Sequence, residues 1–418
     1  MGYSAIVCKI TTRPHPNADR LKIGDALGNQ VIVGLDTQDG DLGIFFPTDG
    51  ALSGEFCAGN DLIRRKDVNG NTTGGMFDEN RRVRAQAFRG VKSDGFWCPI
   101  SNLVNCGVSP ATVDALQEGS TFTELDGVPI CYKYFTPATL IARAGTANSQ
   151  QAKKLRNFPE HVDSEQYRFV KDTIPSGALI TITEKLHGTS MRFGNIEVTR
   201  ELNWFEKLLV RFGVKVETTE YRYTLGTRRT ILKEIDTGSS FYGDESFRRN
   251  AVKGLTLHTG EMVYAELVGY TTTGATIMAV QDTSKLGKDY VKAYGATMTY
   301  TYGCNPGKCK MYVYRITRHG VEYSHNQMVK RCQELGINAV PLICAMVYNG
   351  FLQDLDTLTS TCMQGASTLD NRHIREGVVL RIETDRGVQF VKSKSTDFGI
   401  LEGYLKEKPE YIDTEEIS

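Results

Sequence analysis

The sequence lacks any run of 18 consecutive apolar residues, which excludes a membrane-spanning helix. It lacks an excess of charge of either sign: 49 basic residues stand against 49 acidic ones. A nucleic-acid partner is therefore not announced by global charge, and any cationic footprint has to be local. Its ten cysteines show no paired CxxC spacing; Cys304-Asn-Pro-Gly-Lys-Cys309 comes nearest and has no second pair to match it. That argues against a zinc site and for free thiols in a reducing compartment. The opening residues MGYSAIVCKITTR carry no long apolar core and no small-residue cleavage site, so no leader is expected. Internal repeats and low-complexity tracts are also missing. These absences together predict a soluble, cytoplasmic, monomeric protein with no membrane partner.

What is present divides in two. A chain of 418 residues exceeds one comfortable hydrophobic core, so two domains are expected. Residues 1–133 read as short strands broken by Gly, Asn and Asp. Ala5-Ile6-Val7-Cys8-Lys9-Ile10 and Gln30-Val31-Ile32-Val33-Gly34 are β-rich, and Gly28-Asn29 marks a turn. No helix-period run precedes about Ser109, so a small barrel or sandwich is predicted. Tyr134 to Pro175 is more polar, with Gln150-Gln151-Ala152-Lys153-Lys154 inside it, and the boundary falls near its start. From Ile180 onward strands alternate with helix-compatible stretches such as Asn203–Phe212 and His325–Leu335, an α+β pattern over 134–418. The run Lys406–Ser418 is polar and acidic, suited to a solvated end.

Ile180 and Ile182 alternate with Thr181 and Thr183, a strand period that runs into Glu184-Lys185-Leu186-His187-Gly188-Thr189. A lysine at a strand end with a glycine close behind suits nucleophilic chemistry. The glycine lets a phosphate or backbone approach, and the strand holds the side chain still. Attack on phosphorus needs neutral amine, which a pocket supplies by desolvation or neighbouring cations.

This hexapeptide resembles the nucleotidyltransferase motif of RNA ligases, and its Lys-x-His-Gly form is similar to nick-sealing members. DNA ligases and capping enzymes typically show Lys-x-Asp-Gly. Further motifs follow in order over about 180–395. Thr227-Arg228-Arg229 resembles the next, where an arginine contacts phosphate. Tyr264-Ala265-Glu266-Leu267-Val268-Gly269 resembles the third, whose glutamate binds the ribose hydroxyls. Tyr312-Val313-Tyr314-Arg315-Ile316 resembles the strand that supplies an aromatic for stacking on adenine. Either Tyr312 or Tyr314 fits that role, and Arg315 stands where an acidic residue is common. Arg375-Glu376-Gly377-Val378-Val379-Leu380 and Val391-Lys392-Ser393-Lys394 resemble the fourth and fifth. The resemblance implies ATP, with Mg²⁺ or Mn²⁺, as cofactors. It implies catalytic roles for Lys185, Lys392 and Lys394, and nucleotide binding by Glu184, His187, Gly188, Arg228, Glu266, Tyr312, Tyr314 and Glu376. Glu376, a hard oxygen ligand, would hold the metal.

Val378, Leu380 and Ile382 alternate on one strand, as do Val388, Phe390, Lys392 and Lys394 on another. Asp385-Arg386-Gly387 between them suits a three-residue loop, which would pair Thr384 with Val388 and put even-numbered residues of both strands on one face. Glu376, Lys392 and Lys394 would then cluster, the lysines neutralising an α-phosphate and lowering the pKa of Lys185.

Near the N-terminus, Arg13-Pro14-His15-Pro16-Asn17-Ala18-Asp19-Arg20-Leu21 resembles the entry loop of OB-fold tRNA-binding modules and of the OB domain in one class of RNA ligases. His15 and Asp19 read as parts of a hydrogen-bonded turn rather than as metal ligands. Arg81, Arg82, Arg84, Arg89 and Lys92 put five cations in twelve positions, and with Phe88, Phe96 and Trp97 they suit a groove for a phosphate backbone. No second OB-like stretch follows the last motif, where DNA ligases and capping enzymes carry theirs. The resemblance therefore implies an N-terminal OB-fold β-barrel. An ATP-grasp-like nucleotidyltransferase domain of antiparallel sheets with flanking helices would follow it. The implied activity is ATP-dependent sealing of 5′-phosphate to 3′-hydroxyl ends at nicks in RNA or RNA-containing duplexes, through a lysyl-AMP. A capping-type guanylyltransferase and a non-catalytic OB-fold RNA-binding protein are the rival readings; covalent labelling by ATP, by GTP or by neither separates the three.

Overall fold

The structure, a computed structural model, describes residues 3–48, 50–66, 72–135, 155, 157–162, 164–232, 242 and 244–402. The stretches Gln150–Lys154 and Lys406–Ser418 lie outside the described residues. Two compact units divide the chain, parting between Phe135 and Leu155. Among the described residues no helix is long and apolar enough to cross a membrane.

The first unit is built from short strands. Phe96–Pro99, Leu42–Phe46, Ala5–Lys9 and Thr121–Phe122 form one antiparallel sheet, and Thr11–Pro14, Leu21–Ala26 and Asn29–Gly34 form a meander. Its turn is Leu27-Gly28, both with positive φ, while Asn29 already pairs with Ala26. Alternation does its usual work: Val31 and Val33 are buried, while Gln30 and Ile32 are half-buried and Gly34 is exposed. Pairing among the described residues closes no barrel; Gly50–Leu52 with Cys131–Lys133 and Arg82–Val83 forms a third, separate sheet. A short helix does precede Ser109. It spans Gly54–Gly59 and is capped by Ser53, whose hydroxyl accepts the Phe56 N–H at 3.0 Å. Six residues are too few to show a helical period.

The second unit carries two larger sheets. One runs Glu165–Gln166, Gly387–Lys394, Gly377–Thr384, Leu179–Lys185, Leu342–Val347; all its pairs are antiparallel except the first. The other runs Thr219–Thr227, Thr189–Thr199, Glu261–Gly269, Cys309–Arg318, Val321–Glu322, with Asn338–Ala339 beside Cys309–Arg318. Helices Trp204–Arg211 and His325–Leu335 stand in the two stretches read as helix-compatible, and each opens with a capping box. The mixture is α+β. Ile180, Ile182, Val378, Leu380, Ile382 and Val391 fill the core of the first sheet, and Leu355 and Cys362 of helix Leu352–Met363 join that cluster.

The last hairpin corrects the predicted register. Thr384 pairs with Gly387 and Glu383 with Val388, so the loop is the two residues Asp385-Arg386, not three. Lys392 then faces Val379 and Lys394 faces Gly377, and strand alternation alone would send Glu376 to the other face.

Candidate active site

Glu376 nevertheless meets the lysines, because it stands one residue before the strand that begins at Gly377. A Cβ on Gly377 would lie 2.1 Å from the Ser393 carbonyl oxygen and 2.7 Å from Lys394 Cα. Only glycine lets the chain cross the neighbouring strand so closely, and that crossing turns the Glu376 carboxylate inward. Lys185 Nζ lies 2.8 Å from Glu376 Oε1, and Lys394 Nζ lies 3.2 Å from the same oxygen and 3.4 Å from Glu402 Oε2. Glu376 is fully buried, while the Lys185 and Lys394 side chains keep 15% and 19% exposure. Two cations thus converge on one desolvated carboxylate, and both retain an opening to solvent.

The turn after Lys185 is held from behind. His187 donates its backbone N–H to Tyr302 Oη at 2.7 Å, and its ring sits edge-on to Tyr300 and Phe398. Its Nδ1 is 3.7 Å from Glu376 Oε2 and 3.9 Å from Glu402 Oε1. Burial holds the Tyr300 and Tyr302 phenols well above their ordinary range, so both remain neutral supports. Beneath them His373 is fully buried, and desolvation pushes its imidazole down. Gly188 is required by space: a Cβ there would lie 2.3 Å from the Leu267 carbonyl oxygen. Glu184 is buried, its carboxylate accepting from the Thr368 N–H at 2.8 Å and lying 3.8 Å from Arg375 Nε.

A pocket gathers Glu184, Lys185, Arg228, Glu266, Tyr314 and Lys392 on its lining. His187, Gly188, Tyr312, Glu376 and Lys394 do not line it. Glu266 pairs across the sheet with Ser190, whose hydroxyl donates to its Oε2 at 3.1 Å. The two candidate tyrosines separate here. The strand pair shifts register between Tyr264 and Ala265, which face Arg315 and Val313, so Tyr314 is the extra residue of a β-bulge. Bulges re-aim side chains, and Tyr314 enters the pocket, whereas Tyr312 packs in the apolar core at 6% exposure. Burial pushes the Tyr314 phenol up, and the Glu266 carboxylate adds to this. Arg315 is taken up by Glu322, with its Nε at 2.8 Å, and stacks on the Tyr264 ring. Glu322 also meets Arg381, which reaches Glu383 at 2.5 Å, so the non-acidic residue after Tyr314 belongs to an ion network spanning both sheets.

Three groups of this site escaped sequence reading: Tyr302, Glu402 and the network arginine Arg381. Tyr302 and Glu402 act from stretches with no motif around them, whereas Arg381 directly follows the fourth motif and carried a signal, as a lone cation in an apolar strand. Among the described residues no group of three or more His, Cys, Asp or Glu side chains gathers to hold a metal.

In the first unit the five predicted cations part company. Arg89-Gly90, both with positive φ, form the tight turn between Gln86–Phe88 and Val91–Ser93, and Arg89 and Lys92 are exposed. Arg82 lies over the Tyr134 ring at 5.0 Å. Arg81 bonds the Leu52 carbonyl and Tyr132 Oη, and Arg84 pairs with Asp78. Phe96 and Trp97 are buried in that unit, so they offer no stacking surface. His15 bridges the Asn17 N–H and the Phe88 carbonyl, and so holds a turn.

The RNA ligase family model matches residues 179–395. No curated protein sequence matches the chain. Solved structures similar to it include a lysine mutant of Naegleria gruberi RNA ligase with ATP and manganese. There the TM-score is 0.59 and the identity 15%, with 94% of this chain and 98% of that one covered. An aspartate mutant of the same enzyme without ligand gives 0.59 and 15%, covering 96% and 98%. A second lysine mutant with AMP and manganese gives 0.59 and 15%, covering 94% and 97%. At such identity the likeness shows the fold alone. The family match takes in more than half of the chain, from the strand that ends on Lys185 to the hairpin that carries Lys392 and Lys394, and the chain belongs to the RNA ligase family.

Proposed function

We propose that this RNA ligase is ATP-dependent and joins a 5′-phosphate to a 3′-hydroxyl by way of an adenylyl group carried on Lys185. The observation that carries this reading is the placement of Lys185 and Lys394 on the single buried carboxylate of Glu376, beside a pocket lined by Lys392, Glu266, Arg228 and Tyr314. The Naegleria enzyme, whose fold the chain shares, has been seen with ATP, with AMP and with manganese.

In this reading Tyr314 stacks on adenine, Glu266 takes the ribose hydroxyls, and Arg228 and Lys392 meet phosphate. Lys185 gives up one proton, with Glu376 at 2.8 Å as the acceptor within reach. Its lone pair then attacks the α-phosphorus; the N–P bond forms as the bond to pyrophosphate breaks. The adenylyl group passes next to a 5′-phosphate oxygen, and a 3′-hydroxyl displaces AMP from that activated end. Lys392 and Lys394 stabilise charge on the transferred phosphoryl group at each stage. Glu376 would supply one hard oxygen ligand to a divalent ion bound with the nucleotide. Such an ion would neutralise phosphate charge.

The first unit serves as an OB-like module that grips the duplex around a nick, with Arg82, Arg89 and Lys92 toward the backbone. Arg81 and Arg84 are spent on local partners and contribute little. Incubation with labelled ATP or GTP tests the nucleotide. A denaturation-stable label from ATP, lost in Lys185→Ala, supports the reading; a label from GTP turns it into a guanylyltransferase. Nicked duplexes differing only in a ribose or deoxyribose at the 3′ end test the substrate, and equal sealing rates point instead to DNA.

A further inference from the structure

We infer that Arg192 is a positioning residue of the nucleotide pocket, fixing His161 and Arg228 by holding the two segments that bear them. The inference rests on the nucleotide-binding reading of that pocket.

Arg192 stands on the strand Thr189–Thr199, directly after the lysine turn, and is only 3% exposed. Burying a guanidinium is costly unless its donors are satisfied. Its donors reach two separate places. Nη1 donates to the Phe158 carbonyl at 2.8 Å, and Nε donates to the Thr227 carbonyl at 3.1 Å. The guanidinium also lies over the Phe158 ring, 4.5 Å from its centroid. Gly226 makes room for both: a Cβ there would meet Phe158 Cε1 at 2.9 Å and Arg192 Nε at 3.2 Å. A second tie fixes the first segment, since Tyr264 Oη donates to the Pro159 carbonyl at 3.2 Å.

Each tethered segment delivers a pocket residue. Three positions after Phe158, His161 lines the pocket with its ring 4.9 Å from Tyr314 and 5.4 Å from Phe390. One position after Thr227, Arg228 lines it as well. Phe158-Pro159-Glu160-His161 has no place in the transfer chemistry itself. Its contacts make it a wall of the base pocket, clamped from behind by a charge that an ordinary core position would not contain.

The test combines exchange with kinetics. In Arg192→Met, amide protection should fall at residues 157–162 and 227–230 together, with the neighbouring sheet strands unchanged. This is read without nucleotide. The KM for ATP in adenylylation should rise about tenfold or more with kcat little changed, as expected for loss of two charge-assisted bonds that position a binding wall. Adding Arg192→Met to His161→Ala, Arg228→Ala should then raise KM little further, because both targets are gone. Arg192→Lys, which keeps the charge but reaches one carbonyl, should fall between, and it serves should the methionine variant not fold. Protection unchanged at either segment, or a fall in kcat at constant KM, overturns the inference. A wild-type protein that forms no adduct overturns the ligase reading alone, since the paired loss of protection stands without it.

Discussion

Replacing Gly377 by alanine tests how the site is assembled. The added Cβ would sit 2.1 Å from the Ser393 carbonyl oxygen and 2.7 Å from Lys394 Cα, both backbone atoms that no side-chain rotation can relieve. An ordinary carbon–oxygen approach is about 3.3 Å, so the hairpin has to open by roughly 1.2 Å at that point. Overpacking of this kind costs about 1–3 kcal/mol. At about 2–4 °C per kcal/mol for a unit of this size, the unfolding midpoint should drop by about 2–12 °C. The chemical cost is larger, because the opening carries Lys394 away from Glu376, and a misplacement of about 1 Å is enough for a loss of about 100-fold in rate. Single-turnover transfer of labelled AMP to the enzyme, measured beside thermal unfolding, reads both. Gly34→Ala, where an added Cβ meets nothing within 4 Å, is the control and should change neither. Wild-type transfer by Gly377→Ala would refute the claim that this close crossing sets the carboxylate.

Tyr314→Ala should raise the KM for ATP with little change in the unfolding midpoint, whereas Tyr312→Ala should destabilise by about 3–5 kcal/mol, as for a large core aromatic; kinetics and denaturant melts distinguish the two. Arg331 bonds the fully buried Glu261 through two nitrogens at 2.8 and 2.9 Å. Arg331→Met strands that carboxylate and should cost about 3–5 kcal/mol in urea unfolding with nucleotide specificity unchanged. Desolvation depresses the imidazoles of His373 and His325 in the folded protein. The unfolded chain therefore binds protons first as pH falls through about 6.5. Stability should be full above that pH and decline below it, and His373→Gln should flatten the slope of midpoint against pH between 7.5 and 5.5; an unchanged slope contradicts the assignment.

How far the sequence reached can be judged on single residues. The strand ending at Lys185 was legible because it shows its period, and the helix His325–Leu335 because its charged stretch is helix-compatible throughout. The hairpin was legible as a hairpin but not in register. Loop length turns on one residue, and Gly387 fits a two-residue or a three-residue loop equally well. The meeting of Glu376 with Lys394 was expected for a reason that the register removes; the actual cause, the close crossing at Gly377, depends on a distance that no pattern encodes. Tyr312 and Tyr314 could not be separated beforehand, because both share one strand face until the bulge at Tyr264/Ala265 breaks the alternation. Trp97 misled for a related reason: an aromatic near cations reads as a stacking surface, and only tertiary burial reveals it as core.

The proposed chemistry turns on Lys185 as the nucleophile. Its most direct test is mass analysis of peptides from protein incubated with ATP and magnesium, then denatured. The mass of one adenylyl group should appear on the peptide that carries Lys185, and on no other, and be absent when ATP is withheld. An unmodified Lys185 peptide, or an adenylyl group on a different lysine, would contradict it.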